Sequence, residues 1–234
     1  LLRVYDLEAI VNFAHERNLK VVFDNTFMSP ALFRPLEWGC DVVLHSATKY
    51  LCGQGTLIAG IILTVEAELA HAIQHETVYN FGGVLSPVNA WLLTMSLQTL
   101  PVRMQRHSEN AMKVARFLES HRAVAWVNYP GLETHPDYEL SKKYFTQGFS
   151  GMIAFGLKRG KEACERAADS VNLIIHQVSL GDTKSLMIHP YSVFFETMTD
   201  QARAELGVTP DLLRLSVGLE DVHDLIAELD RILS

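Results

Sequence analysis

The chain has 234 residues, 48% of them hydrophobic and 20% charged, and carries a net charge of −7. That composition supports a packed core in one large or two modest domains, and an acidic balance without any Lys/Arg run excludes a nucleic-acid surface, because phosphate binding needs clustered cations. No apolar run approaches the ~20 residues of a membrane helix, and no basic start with a small-residue cleavage site marks a signal peptide, so a cytoplasmic protein working on small molecules is expected. Cys40, Cys52 and Cys164 are odd in number and lack metal-ligand spacing, which points to reduced thiols.

Asp6 is placed to cap a helix running to residue 17, with Leu7, Ile10, Val11, Phe13 and Ala14 as its apolar face. The run Val21-Val22-Phe23 ends in Asp24-Asn25-Thr26 and reads as a parallel strand buried on both faces. Pro30 and Pro35 break any long helix, and a second strand follows at 42–44; helix, strand, short connection, strand is the grammar of an α/β sheet. A strand at 57–63 and a helix at 66–79 come next. Ser86-Pro87 then reads as the cap and first residue of a helical region that reaches residue 121 and divides near Pro101. Beyond it, strands at 124–129, 152–157, 174–178 and 214–217 alternate with helices at 161–170 and 220–233, the pattern of a smaller α+β domain. The boundary is expected near Leu100, giving domains of 1–100 and 101–234.

In open α/β sheets ligands bind beyond the carboxyl ends of the strands, where Asp24 and Lys49 both fall. Of eight lysines, Lys113, Lys142, Lys143 and Lys161 sit in polar helical contexts, whereas Lys49 follows Val42-Val43-Leu44 and is flanked by Ala47, Thr48 and Tyr50. Partial desolvation disfavours the ammonium form and makes such an amine a better nucleophile towards a carbonyl. A carboxylate that keeps a pyridine nitrogen protonated and a lysine that holds an aldehyde as an imine are what pyridoxal phosphate requires. Spacing alone leaves open that Lys49 is a solvated loop lysine and Asp24 a helix cap. Ser46 and Thr48 either donate to a phosphate or cap local turns. His71 and His75 lie four apart on a helix without a third ligand, so no metal site is expected. His121 and His135 read as surface residues. Gly53 and Gly55 lack the Gly-Lys-Ser/Thr ending of a P-loop and read as a turn after the lysine.

Val22-Phe23-Asp24-Asn25-Thr26-Phe27, Arg34-Pro35-Leu36-Glu37 and His45-Ser46-Ala47-Thr48-Lys49-Tyr50 are similar to the cofactor region of the Cys/Met-metabolism family of pyridoxal-phosphate enzymes. The resemblance continues through Leu85-Ser86-Pro87, Thr99-Leu100-Pro101-Val102-Arg103-Met104, Tyr129-Pro130-Gly131-Leu132, Val178-Ser179-Leu180-Gly181-Asp182, His189-Pro190 and Arg214-Leu215-Ser216-Val217-Gly218-Leu219-Glu220, and so covers the whole chain. It implies a fold-type I PLP-dependent transferase-like α/β architecture, part of a mainly parallel sheet with helices on both faces plus a smaller α+β carboxyl-terminal domain. It implies Lys49 as the Schiff-base lysine, Asp24 as the partner of the ring nitrogen, Ser46 and Thr48 on the phosphate, and Ser179 with Arg214 on the substrate α-carboxylate. A guanidinium just before an apolar strand offers a planar fork that matches a carboxylate; a surface ion pair with Glu220 or Asp221 is the plainer alternative.

The chain resembles the carboxyl-terminal part of longer family members, which implies a homo-oligomer, dimer or tetramer, in the full-length form. The implied substrate is a small sulfur amino acid. Val178-Ser179-Leu180-Gly181-Asp182 with Gly151-Met152-Ile153-Ala154-Phe155 resembles methionine γ-lyases, while Gly55-Thr56 and Asp182-Thr183-Lys184 resemble O-acylhomoserine sulfhydrylases. The expected reaction is γ-elimination on methionine, cystathionine or homocysteine. The alternatives are γ-replacement, as in O-acylhomoserine sulfhydrylase or cystathionine γ-synthase, and an inactive fragment or accessory subunit. In Tyr191-Ser192-Val193-Phe194-Phe195 the sequence departs from the family, and Phe194 stands where a threonine often helps bind the carboxylate.

Overall fold

A computed structural model describes residues 2–194 and 198–234. The chain forms two compact units, one of Tyr5–Pro101 and one of Val102–Ser234 joined by the segment up to Val4.

In the first unit, α1 (Leu7–His15) starts where Asp6 accepts a hydrogen bond from the Ala9 amide. It buries Leu7, Val11 and Ala14 but exposes Ile10 and Phe13, so its apolar face is narrower than predicted. Phe13 instead lies under the Arg17 guanidinium, 3.8 Å from the ring centroid. β1 (Val22–Asp24) pairs in parallel with β2 (Val42–Ser46), with Asp24 opposite Leu44. The short α2 (Ser29–Leu32) and a 3-10 turn at Pro35–Trp38 connect them. β3 (Gly60–Thr64) runs antiparallel on the other side of β2, so the sheet in this unit is mixed. Burial on both faces holds for central β2, whereas Val22 on edge strand β1 is 57% exposed.

The starts of both paired strands are tied to α1 by Asp41, whose buried carboxylate accepts from the Val21 amide (2.7 Å), His15 Nε2 (3.0 Å) and Lys20 Nζ (3.1 Å). Burial alone would raise its pKa, but the Val21 amide, His15 and Lys20 outweigh it and hold the group below the usual carboxylate range.

The helix predicted over 66–79 is interrupted. α3 (Ala67–Gln74) passes into a π-helical turn at His75–Asn80, where the Thr77 hydroxyl donates to the Ile73 carbonyl (2.7 Å) and competes with the backbone ladder. α4 (Pro87–Leu97) begins at the Ser86 cap, and α5 (Leu100–Ser120) follows after a two-residue break, with Pro101 in its first turn where a missing N–H costs nothing.

The second unit is a five-stranded sheet in the order β4-β5-β8-β7-β6, formed by β4 (Val124–Asn128), β5 (Met152–Leu157), β6 (Ile175–His176), β7 (Leu186–Ile188) and β8 (Leu212–Ser216). All pairs are antiparallel except β6 with β7. The segment at 174–178 yields only the two-residue β6, and β7 was not anticipated. α6 (Tyr138–Tyr144), α7 (Lys161–Asp169), α8 (Pro190–Val193), α9 (Asp200–Glu205) and α10 (Val222–Leu233) complete the unit. Ile153 and Phe155 of β5 and Leu213 and Leu215 of β8 point to one face, where they pack with Leu118 of α5, Ala167 of α7 and Leu229 of α10. Ala154 and Leu212 alternate to the opposite face, the face that also receives Arg214.

The thiols of Cys40, Cys52 and Cys164 are free and buried, and burial pushes Cys164 up to about 12 and Cys40 to about 11, so both stay protonated. His135 is buried rather than on the surface. Its Nδ1 accepts from the Asp137 amide (3.0 Å) and its Nε2 donates to the Leu2 carbonyl (3.1 Å), beside the Arg3–Asp137 ion pair. His121 also differs, its side chain being only 7% exposed and facing Asp230 at 3.3 Å.

Candidate active site

At the carboxyl ends of β1 and β2 the first unit opens into a groove of about 850 Å³, walled by β3, by Ile73 and Gln74 of α3, and by Thr77 and Val78 of the π-helical turn. That volume lies in the range of small-molecule and cofactor sites. Asp24, His45 and Ser46 line it. Asp24 projects from the end of β1. Its Oδ1 accepts from the Thr26 amide (2.9 Å) and the Thr26 hydroxyl (2.6 Å), and its Oδ2 has no partner among the described residues. The same Thr26 hydroxyl accepts from the Ser46 amide (2.8 Å).

Lys49 and Thr48 lie beyond β2, outside the groove lining, in a turn whose backbone is fixed. The Lys49 amide donates to the Ser46 carbonyl (3.1 Å), and the Lys49 carbonyl accepts from Gly53 (2.7 Å). Ala47, Tyr50, Leu51 and Cys52 are buried around the half-buried lysine. Gly53 and Gly55 have φ of +69° and +62°, values that a side chain would strain, which is why the turn ends on glycines. Thr48 turns its hydroxyl to Ala59, accepting from the amide at 3.0 Å. That bond ties the turn to Ala59 and uses an acceptor site of the hydroxyl, so both hydroxyls stay candidates for an anion, Ser46 being the one that lines the groove.

His45 is a group that sequence reasoning did not single out. It is 4% exposed, and its Nδ1 is buried without a partner among the described residues. Burial lowers its pKa against the opposing effects of the Asp24 charge and the Asn25 backbone, so the ring is neutral near pH 7. An orphaned polar atom beside a carboxylate with an uncommitted oxygen is a sign of a site built for a further polar group. These residues fit pyridoxal phosphate: Asp24 Oδ2 for a ring N–H, the Ser46 hydroxyl for a phosphate oxygen, and Lys49 for an aldehyde.

In the second unit Arg214 occupies the middle of β8, opposite Ala154 on one side and Ile188 on the other, not the position before a strand that the sequence suggested. Its Nη2 donates to the carbonyls of Val178 (2.8 Å) and Ser179 (3.0 Å), while the Phe194 ring lies 5.7 Å from the guanidinium carbon. Ser216, two residues on and on the same face, accepts from the Gly181 amide (2.8 Å). The segment 178–181 is thus held by two side chains of one strand, and Ser179 meets Arg214 through its carbonyl. Glu220 accepts from the Ser185 amide and hydroxyl (2.6 and 2.9 Å), and Asp221 caps α10 through the His223 amide, which gives the two acids roles other than a surface pair with Arg214. Phe194 supplies a π-face beside the guanidinium. Phe195 lies outside the described residues. His71 and His75 stack with ring centroids 6.5 Å apart, and among the described residues no cluster of three metal-type ligands occurs.

Residues 1–234 match the family described as Cys/Met metabolism PLP-dependent enzyme. The chain belongs to that family. An L-methionine gamma-lyase from Fusobacterium nucleatum subsp. nucleatum is 44% identical over 232 residues, covering 98% of this chain and 58% of that protein. An O-acetyl-L-homoserine sulfhydrylase from Leptospira meyeri is 37% identical over 271 residues, covering 99% of this chain and 61% of that protein. Among solved structures, the cystathionine gamma synthase from Xanthomonas oryzae pv. oryzae in complex with aminoacrylate and cysteine superposes with a TM-score of 0.93. It is 38% identical, covering 99% of this chain and 59% of that one. At this identity and TM-score the fold-type I class of that structure is shared. The chain therefore spans a little under three fifths of the length of the γ-lyase and of the synthase. Pyridoxal 5'-phosphate is the cofactor of the Cys/Met-metabolism family.

Proposed function

We propose that the full-length protein is a pyridoxal-phosphate carbon–sulfur lyase that performs γ-elimination on a methionine-type amino acid. The observation that carries this reading is the manner of alignment. Covering 98% of the chain against the Fusobacterium γ-lyase takes 232 positions, whereas covering 99% against the Leptospira sulfhydrylase takes 271, so the sulfhydrylase needs insertions that this chain lacks. The γ-lyases from Pseudomonas deceptionensis and Treponema denticola likewise align over 232 and 231 residues.

When bound, the cofactor supplies an electron-poor ring that takes up the negative charge left at the substrate Cα. The residues of the chain have separate duties. Asp24 Oδ2 would accept from the ring N–H and keep it protonated, and the Ser46 hydroxyl would donate to the phosphate. Lys49 would hold the aldehyde carbon of the cofactor, and its amine would move the proton at the substrate Cα. Arg214, steadied by the 178–179 carbonyls and Phe194, pairs with the substrate α-carboxylate. Elimination with the uptake of one water would release the γ-thiol and give a 2-oxo acid and ammonia, the water supplying the oxo oxygen. We also propose a homo-oligomer, supported by apolar side chains on the surface of the first unit such as Phe81 (82% exposed) and Trp91 (62%).

The test is product analysis of the full-length protein with methionine, cystathionine and O-acetylhomoserine, each with and without an added thiol. A 2-oxo acid formed from methionine without an acceptor thiol is the expected result. Turnover of O-acetylhomoserine alone, strictly dependent on the thiol, would instead support γ-replacement.

A further inference from the structure

The geometry points to Thr26 as the positioning residue that fixes the cofactor's two polar contacts relative to each other; this rests on the assignment of Asp24 and Ser46 made above. Donor and acceptor accounting leaves one arrangement. The Ser46 amide can only donate, so the Thr26 oxygen accepts from it at 2.8 Å. An ionised carboxylate can only accept, so the single Thr26 hydroxyl proton goes to Asp24 Oδ1 at 2.6 Å, joined there by the Thr26 amide at 2.9 Å. The hydroxyl is therefore a directed link from the last residue of β2 to the last residue of β1, across a parallel pair whose ladder joins Asp24 to Leu44. Thr26 is 7% exposed, so solvent does not replace this link cheaply.

Both bonds to Asp24 fall on one oxygen and orient the carboxylate so that Oδ2, without a partner among the described residues, is the atom presented to a ligand. The same hydroxyl sets where the Ser46 backbone, and with it the Ser46 side chain, stands. Because a hydrogen-bonded chain polarises along its length, occupation of Asp24 Oδ2 and of the Ser46 hydroxyl is coupled through Thr26. Thr26 touches neither the cofactor nor the reacting atoms in this scheme and acts through Asp24.

The experiment compares Thr26→Val, which keeps shape and the backbone amide but loses the hydroxyl, with Thr26→Ser, which keeps the hydroxyl, in the full-length protein. The readouts are the pyridoxal-phosphate dissociation constant, measured by titrating apoprotein, and kcat and KM for methionine. Thr26→Val is expected to raise the dissociation constant about tenfold, a change of about 1.4 kcal/mol, and to lower kcat with KM nearly unchanged, while Thr26→Ser stays close to the parent. In an Asp24→Asn background the valine substitution is expected to add little, since residues acting through one another are not additive. Far-UV circular dichroism checks the fold; if Thr26→Val does not fold, Thr26→Ala takes its place. The inference is overturned if a folded Thr26→Val or Thr26→Ala binds cofactor like the parent, if Thr26→Ser is as damaged as Thr26→Val, or if the effects of Asp24 and Thr26 multiply in full. If Asp24→Asn alone leaves the dissociation constant unchanged, the assignment of Asp24 falls as well, which separates the two failures.

Discussion

Arg214 shows what a single residue gains from its neighbours. Two carbonyls hold one edge of its guanidinium and the Phe194 ring stands beside it, so the side chain is fixed in advance for the carboxylate it is proposed to bind. Pre-ordering of this kind reduces the entropy lost on binding. Removal of the cation should therefore weaken substrate capture strongly, and removal of the ring modestly. Arg214→Ala is expected to raise KM for methionine at least about tenfold, because a buried or half-buried carboxylate loses its charged partner. Phe194→Leu is expected to raise it about two- to fivefold, the range of a cation–π contact of about 0.5–1 kcal/mol. Steady-state kinetics of the two variants checks the order, and an equal effect of both would remove Phe194 from this role. At this scale the sequence was partly legible. Asp24, Ser46 and Lys49 could be marked because polar residues closing an apolar strand are visible in one dimension. Thr26 and Phe194 could not, since their partners lie 20 residues away in each case, at Ser46 and at Arg214. The Asp-x-Thr spacing was the one local signal for Thr26.

Elements were legible where periodicity decided them and illegible where tertiary context did. β5 falls at 152–157 as predicted because six successive residues are buried, and a continuous apolar run has no other good use. The π-helical turn at His75–Asn80 was hidden because a π-turn has the same residues as an α-helix and differs by one hydrogen-bond step. The direction of β3 was hidden for a similar reason, since strand polarity leaves no mark on composition.

One helix-to-strand contact has a consequence for pH. His107 of α5 donates through Nδ1 to the carbonyl of Val217, just past β8, at 2.7 Å, and Asn110 of the same helix donates to the carbonyls of Gly218 (3.0 Å) and Glu220 (2.9 Å). Together they clamp the strand that carries Arg214. Burial lowers the His107 pKa to about 4; the Val217 carbonyl opposes this and the Arg103 charge adds to it. In the unfolded chain the ring titrates near its ordinary value of about 6.5. Between these values the unfolded state binds the extra proton, so the contribution is complete above about pH 6.5 and is lost as pH falls towards about 4. The loss is on the order of 3 kcal/mol, the free-energy equivalent of the fall to about 4. His107→Gln keeps a donor but cannot titrate. Urea melts at pH 7 and pH 4.5 should show a smaller decline for the variant than for the parent; equal declines would mean that His107 does not carry this dependence.

For the whole molecule, family membership follows from a match along all 234 residues, and the fold from a superposition at TM-score 0.93. Several motifs in the family's order made that membership readable in the sequence, because a cofactor that must be held at three points, ring nitrogen, aldehyde and phosphate, constrains separate segments at once. The choice between elimination and replacement is much less visible, since both reactions start from the same proton removal at Cα and part only when the γ-substituent has left.

The central claim is that Lys49 holds pyridoxal phosphate, and borohydride reduction tests it most directly. The full-length protein, loaded with cofactor, would be reduced, digested and mapped by mass spectrometry. The account predicts loss of the visible absorption band and a single phosphopyridoxyl-labelled peptide containing Lys49, with Lys49→Ala unlabelled. A label on any other lysine, or full labelling of Lys49→Ala, would contradict it.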